Sequence, residues 1–239
     1  MDISFPGKPA IVILILVLML TGGCVTTAYQ TRKNLAADPE KRRIVLLSPD
    51  VELSILHAGG LPETQAEWTR QAKKHIADNL AQRFRNINPR LVKRVKRTKD
   101  EGPDQREIQL LKLHGAVGRS IMTHQYDNVP LQLPTKKDKF EWTMGPSIAY
   151  LRQKYGADYA LFVFVRDSYS SSGRVAAIIF AAILGVHVQG GIQLGFSSLV
   201  DLNSGEVVWF NRVVRGTGDL RTPAGPNETV GVLLNSFPQ

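Results

Sequence analysis

The chain has 239 residues, of which 43% are hydrophobic and 21% are charged, so it can bury an ordinary core and does not belong to the disordered class. It carries 30 Lys and Arg residues against 21 Asp and Glu, a net charge of +9. Residues 24–139 hold 22 basic and 13 acidic residues, whereas residues 140–239 hold seven of each. This asymmetry favours an anionic neighbour for the front half. A single cysteine excludes an internal disulfide framework.

The N-terminus combines an apolar run with that cysteine. Residues 10–20 are all apolar and, as a helix, would span about 16 Å, roughly half of a hydrocarbon core of about 30 Å. Small residues at 21–23 then precede Cys24. This pattern resembles the lipobox of bacterial lipoproteins, in which a signal peptide is cut before a cysteine that carries lipid. The resemblance implies a signal peptide at 1–23, cleavage between Gly23 and Cys24, and lipidation of Cys24, with no cofactor besides that covalent lipid.

The same resemblance implies a location in the bacterial cell envelope. Val25 rather than aspartate follows Cys24, and the sorting rule of enterobacterial lipoproteins then favours the outer membrane, facing the periplasm. The alternative is a short uncleaved anchor with an unmodified Cys24. Residues 24–40 are polar and predict a flexible tether, after which residues 41–239 form a single domain.

Local patterns after residue 41 predict alternating strands and helices. Between Thr64 and Pro89, apolar residues at every fourth position predict a helix, and the apolar residues on both faces of Ala157–Arg166 predict a central strand. The runs 192–201 and 206–215 predict a hairpin because a short Gly-containing turn joins them. The remaining elements are a strand at 44–47 and helices at 105–123, 147–155 and 228–235. This order predicts an α+β fold in which helices pack on one face of a mixed β-sheet.

A basic stretch follows the first predicted helix. Residues 90–99 contain no acid and six basic side chains, which are Arg90, Lys93, Arg94, Lys96, Arg97 and Lys99. One interpretation is a basic edge strand whose charges prevent aggregation. The other is contact with an anionic envelope surface, either lipid, lipopolysaccharide or an acidic protein. We expect no nucleic-acid partner, since the chain carries an export signal and no aromatic residues interleave with these charges.

An apolar segment, 175–188, lies between the central strand and the hairpin. It is too short to cross a bilayer as a helix. We favour a buried helix, or a helix that runs into a strand. The alternative is a membrane contact or a subunit contact in a homo-oligomer. The side chains that would make the contact are Ile178, Ile179, Phe180, Ile183 and Leu184.

Two short motifs extend the resemblance beyond the lipobox. Gly156-Ala157-Asp158-Tyr159 leads into the central strand, and the predicted hairpin contains the runs 200–205 and 207–209, which read VDLNSG and VVW. Both motifs are similar to features of envelope lipoproteins related to the curli secretion channel and the penicillin-binding-protein activator. The resemblance implies an anticodon-binding-like fold and action through surfaces, and it transfers no functional residue to this chain.

Candidate catalytic and metal-ligating residues form no recognisable constellation. The five histidines have no ligand spacing, no second cysteine is present, and no Gly-x-Ser-x-Gly elbow occurs. Asp167 and Asp201 fall at predicted strand ends, which alone defines no mechanism. We therefore expect no enzyme and no metal. The favoured function is a membrane-anchored envelope lipoprotein with a non-catalytic periplasmic domain that binds another envelope component. The alternatives are a subunit of an oligomeric outer-membrane secretion assembly and an envelope enzyme.

Overall fold

The computed structural model describes residues 26–31, 42–87, 92–94, 104–126, 131–136 and 139–238. This part of the chain forms one mixed sheet of eight strands. The strands are β1 (Thr26–Thr31), β2 (Ile44–Leu46), β3 (Asp50–Leu56), β4 (Pro62–Thr64), β5 (Val92–Arg94), β6 (Tyr159–Ser170), β7 (Gln193–Asp201) and β8 (Val207–Arg215). The α-helices are α1 (Ala66–Ile87), α2 (Gln105–Ile121), α3 (Ala149–Tyr155), α4 (Ser172–Ile183) and α5 (Gly225–Leu233). The predicted α+β class is therefore confirmed.

Strand β6 is the centre of the sheet, as its apolar sequence predicts. It pairs antiparallel with β7 on one side. On the other side its first residues pair with β2 and its later residues pair with β3, both in parallel. Its residues from Tyr159 to Val165 are all buried. The predicted hairpin is also confirmed, with β7 and β8 antiparallel.

Helices cover both faces of the sheet, which differs from the expected arrangement on one face. Successive side chains of β6 point to opposite faces. Leu161 and Val163 share a core cluster with residues of α1 and α5. Phe162 and Phe164 share a second cluster with residues of α2 and α3. A strand that is apolar on both faces needs a cover on each, so a one-sided arrangement would leave one row of β6 in water.

Helix α2 begins where the sequence predicts. The Asp104 side chain accepts hydrogen bonds from the backbone N–H groups of Arg106 and Glu107, which caps the helix. A Cβ on Gly118 would lie 2.0 Å from the ring of Phe196. Glycine at this position therefore lets the helix approach the sheet closely, and this contact outweighs the helix-weakening effect of the residue.

Strand β1 differs from the predicted tether. Thr26–Thr31 pairs antiparallel with β8, so part of the segment 24–40 belongs to the sheet. Residues 24, 25 and 32–40 lie outside the described residues, as do the predicted signal peptide, its cleavage site at Gly23 and the lipidation site Cys24.

Strand β5 shows that part of the basic stretch is a strand. It pairs in parallel with β2 and stands at the end of the strand order. The strand contains Lys93 and Arg94, whereas Arg90, Lys96, Arg97 and Lys99 lie outside the described residues. Its contact with an anionic surface stays a prediction.

Candidate functional site

The ends of several strands and a hairpin tip lie beside the carboxyl end of β6, which we call the β6 end. The hairpin tip between β3 and β4 lies here because Leu56 pairs with Ser170. The start of β7 lies here as well, since Gln193 pairs with Asp167. The end of β8 and the start of β1 follow in register, because Leu194 pairs with Val214 and Val214 with Thr26.

An apolar protrusion projects from the β6 end. It consists of α4 and the returning segment 184–192. The Ser171 side chain caps the helix by accepting a hydrogen bond from the backbone N–H of Arg174. The Arg174 guanidinium donates to the carbonyl of Ala58 in the hairpin tip at 3.1 Å and to that of Gln189 at 2.7 Å. Val186 donates its N–H to the carbonyl of Ala181. The returning segment therefore lies beside the helix, and the protrusion is fixed at its base.

Helix α4 buries none of its residues, so the interpretation as a buried helix is wrong. Ile178 is half-buried, whereas the other four candidate contact residues are exposed: Ile179 58%, Phe180 65%, Ile183 76% and Leu184 64%. No Asp, Glu, Lys or Arg occurs in 175–192. Complete burial of one such side chain contributes about 1.5–3 kcal/mol. An apolar surface of this kind marks a protein or membrane contact.

Other exposed hydrophobic side chains also concentrate at the β6 end. Nine large hydrophobic side chains are exposed among the described residues, and all except Leu131 and Leu133 belong to the protrusion or the adjacent hairpin tip. Leu61, in that tip, is 75% exposed. In the described ranges, no helix is both long and apolar enough to span a membrane.

A polar pocket of about 250 Å³ lies beside the protrusion. Its lining includes the end of β6, the segment that leads into β7 and the loop 216–218. Asp167, which is buried at its base, accepts hydrogen bonds from the Tyr169 hydroxyl, from Gln193 Nε2 at 2.9 Å and from the Leu220 N–H at 3.4 Å. Burial raises the pKa of Asp167, and the three donors oppose that rise.

Behind the pocket, the polar network continues through a buried arginine. Arg215 Nε donates to Gln193 Oε1 at 2.8 Å, and Nη2 donates to the Thr229 hydroxyl at 3.0 Å. Its Nη1 forms an ion pair with Glu228. These bonds join β7, β8 and α5, so the network fixes the last helix to the sheet.

Arg221 closes one side of the pocket. Its guanidinium lies 3.7 Å from the centre of the Tyr169 ring and pairs with Asp219 at 2.7 Å. Hydrogen bonding to Arg221 lowers the pKa of Asp219. Both charged residues of the pocket lining, Asp167 and Arg221, thus already have protein partners. The arrangement suits a structural polar network.

The structure separates the two aspartates that the sequence placed at strand ends. Asp167 pairs with Gln193 at the β6 end, whereas Asp201 pairs with Tyr159 at the opposite end of the same two strands. Eight residues of strand separate the two positions, about 26 Å. The two carboxylates therefore cannot act on one substrate atom.

One histidine is a core residue. His114 is 1% exposed, stacks on Phe162 with a centroid distance of 4.8 Å, and shares a hydrogen bond of 2.8 Å with Ser198 Oγ. Burial lowers the pKa of His114 to about 3, so the ring is neutral. Within the described ranges, no group of three or more His, Cys, Asp or Glu residues is placed to hold a metal ion.

These features define the class of the domain as α+β, with a two-faced mixed sheet and an apolar protrusion at one end. No protein-family model matches the chain, and no curated protein matches it. Among solved structures, the PelC dodecamer from Paraburkholderia phytofirmans is similar, with 12% identity, a TM-score of 0.40, and coverage of 88% of this chain and 97% of that chain. A PelC dodecamer with a single substitution, from the same organism, is 14% identical with a TM-score of 0.40, over 89% and 96% of the two chains.

A DUF4136 family protein from Bacteroides thetaiotaomicron is 12% identical with a TM-score of 0.29, over 90% of this chain and 94% of that chain. Likenesses at this level assign neither function nor assembly to this chain. The resemblance to the curli secretion and penicillin-binding-protein activator lipoproteins stays a prediction.

Proposed function

We propose that the chain is a lipid-anchored protein of the bacterial cell envelope, with a non-catalytic domain that binds another envelope component. The lipid is carried by Cys24, and the domain faces the periplasm from the outer membrane. The observation that carries this proposal is the position of β1 after the lipobox. Strand β1 begins at Thr26, two residues after Cys24. Two residues span at most about 7 Å, so an anchored Cys24 would hold the edge formed by β1 and β8 close to the membrane.

The polar pocket supports a non-catalytic domain. A general base or nucleophile must be available to a substrate, whereas the Asp167 carboxylate already accepts three hydrogen bonds from the protein. Arg221 is likewise paired with Asp219. The hypothesis of an envelope enzyme gains no support from these contacts.

The basic stretch is the surface that we assign to the partner. Strand β5 is in register with β2, whose partner on β6 is the segment from Tyr159 to Leu161. That segment lies nine residues, about 30 Å, before Ser170 at the β6 end. With the β6 end near the membrane, strand β5 lies level with the opposite end of the sheet. The partner is therefore an anionic envelope component other than the anchoring bilayer, such as an acidic protein surface.

The exposed apolar protrusion favours one alternative, a subunit of an oligomeric outer-membrane secretion assembly. In that case the side chains of α4 would contact a neighbouring copy. Mass measurement of the lipidated protein in detergent separates the two functions, since only the assembly subunit forms a large homo-oligomer.

Intact mass spectrometry of the protein from its native envelope tests the anchor. We expect a chain that begins at Cys24 with three acyl chains attached, and an uncleaved, unlipidated chain for Cys24→Ser. A native protein that retains Met1 and carries a free Cys24 thiol would overturn the anchor and the envelope assignment.

Charge reversal tests the partner surface. The variant Lys93→Glu/Arg94→Glu should lose most crosslinks to a distinct envelope partner in cells, and added salt should weaken the remaining ones. Arg70→Glu/Lys74→Glu is the matched control, because it makes the same charge change on exposed positions of α1. Equal crosslinking by the β5 variant and the α1 control would show that β5 is not part of the partner surface.

A further inference from the structure

We infer that the apolar protrusion inserts into the same bilayer that holds the lipid on Cys24. It is a second membrane contact, made by protein side chains. The inference rests on the proposed lipid anchor and adds to it an orientation of the domain, with the β6 end against the membrane.

The sheet register places the anchor and the protrusion at one end of the molecule. Thr26 is level with Arg166 of β6 through the pairs with Val214 and Leu194. Four further residues of β6, about 13 Å, lead to Ser170 and then to α4, and three strand spacings, about 14 Å, separate β1 from β6. Because β1 runs away from the β6 end, the chain that precedes Thr26 enters the sheet from that end. The site of the lipid and the start of α4 are therefore within roughly 25 Å of each other.

The composition of the protrusion suits the interior of a bilayer. A helix that is apolar on all sides needs an apolar medium around it, and α4 has no charged residue after Arg174. Its 12 residues extend about 18 Å, so the helix can enter one leaflet and cannot cross the membrane. The charge of Arg174 lies at the base, where it bonds the carbonyls of Ala58 and Gln189. Apolar side chains thus occupy the tip and polar groups the base, in the order of a bilayer and its headgroup region.

The bilayer accounts for this surface better than a protein partner does. A partner seated on α4 would have to fit between the domain and the membrane, because the anchor enters from the same end. The leader at 1–23 is a third occupant, and it is available only if signal cleavage does not occur. Insertion into the bilayer requires neither a partner in that gap nor an uncleaved leader.

Depth-dependent quenching tests the inference on the full lipidated protein. A bimane label is placed on Ile183→Cys at the tip, and on Ser204→Cys in the exposed turn between β7 and β8 at the opposite end of the sheet. The proteins are reconstituted in vesicles of phosphatidylethanolamine and phosphatidylglycerol that contain brominated phosphatidylcholine. We expect the bromolipid to quench the label at 183 and not that at 204, and aqueous iodide to quench the label at 183 about fivefold less than that at 204.

Two results would overturn the inference. Equal quenching of both labels by iodide would leave the tip in water. Protection of the label at 183 from iodide without quenching by bromolipid would mean that protein, either a second copy or a retained leader, covers the helix. A second label on Phe180→Cys guards against a local effect of one substitution. Intact mass of each sample reports the lipid on Cys24 independently, so failure of the anchor and failure of insertion are distinguished.

Discussion

Helices α1 and α4 differ in how their sequences relate to burial. Helix α1 mixes charged and apolar residues, yet Ala72, Ile76, Leu80 and Phe84 are all at most 2% exposed. Helix α4 is apolar nearly throughout, yet it buries no residue. The difference shows that periodicity, and not apolar content, specifies which helix packs on the sheet. A helix without a polar face has no preferred side to present to a core.

Truncation of an aromatic residue in α1 should have the largest effect on folding. Phe84 is 1% exposed and makes an edge-to-face contact with Phe237 at 5.0 Å. We expect Phe84→Ala to lower the free energy of unfolding by about 3–5 kcal/mol, measured by urea denaturation, because it leaves a cavity in the core. Phe84→Leu, which retains most of the volume, should cost clearly less. A loss below about 1 kcal/mol for Phe84→Ala would show that α1 does not hold the core.

The buried histidine of α2 should give an intermediate effect, visible as pH dependence. The pKa of His114 is about 3 in the fold, well below its ordinary value of 6.5. His114 therefore binds a proton in the unfolded chain but not in the folded chain. The free energy of unfolding consequently falls as the pH drops below 6.5. One such group costs at most about 1.4 kcal/mol per pH unit, and about 2.3 kcal/mol between pH 6.5 and 4.5, because the unfolded histidine is only half protonated at pH 6.5.

The variant His114→Gln isolates this contribution. It keeps a polar side chain for Ser198 and does not titrate, while every other titrating group is common to both proteins. The free energy of unfolding of the parent protein minus that of the variant should therefore decrease steadily as the pH falls from 6.5 to 4.5. Parallel curves over this range would contradict a neutral, buried His114.

Truncation in α4 should have the smallest effect on folding. Phe180 is 65% exposed, so Phe180→Ala removes few contacts within the domain. We expect a change of at most about 0.5 kcal/mol in the free energy of unfolding of the detergent-solubilised protein. This variant removes the same group as Phe84→Ala, which makes the two helices directly comparable. A loss similar to that of Phe84→Ala would mean that α4 packs against the domain after all.

Elements with strong local signals could be predicted from the sequence. The four-residue spacing in α1, the Asp104 cap of α2 and the Gly-containing turn between β7 and β8 each act within a few residues. These local signals therefore predict where the three elements lie in the chain. The pairing of β2 and β3 along one side of β6 has no local signal, and neither does the addition of β1 to the opposite edge.

The site was harder to predict for a related reason. The network behind the pocket joins Asp167, Gln193, Arg215 and Glu228, which lie on four different elements. No spacing in the chain brings them together. The sequence pattern does not predict the exposure of α4 either, because a short apolar run is as typical of a core as of a contact surface. The exposure follows from attachment at the end of the sheet, where none of the described elements buries a residue of the helix.

The most direct test of the account compares the two ends of the sheet in native envelope membranes. Ile183→Cys and Ser204→Cys are exposed to a water-soluble maleimide, and the parent protein, which carries neither substitution, gives the background. Modification at position 204 and protection at position 183 is the predicted result, with the protection lost when detergent dissolves the bilayer. Equal modification at both positions before detergent is added would contradict the insertion of the apolar protrusion into the membrane.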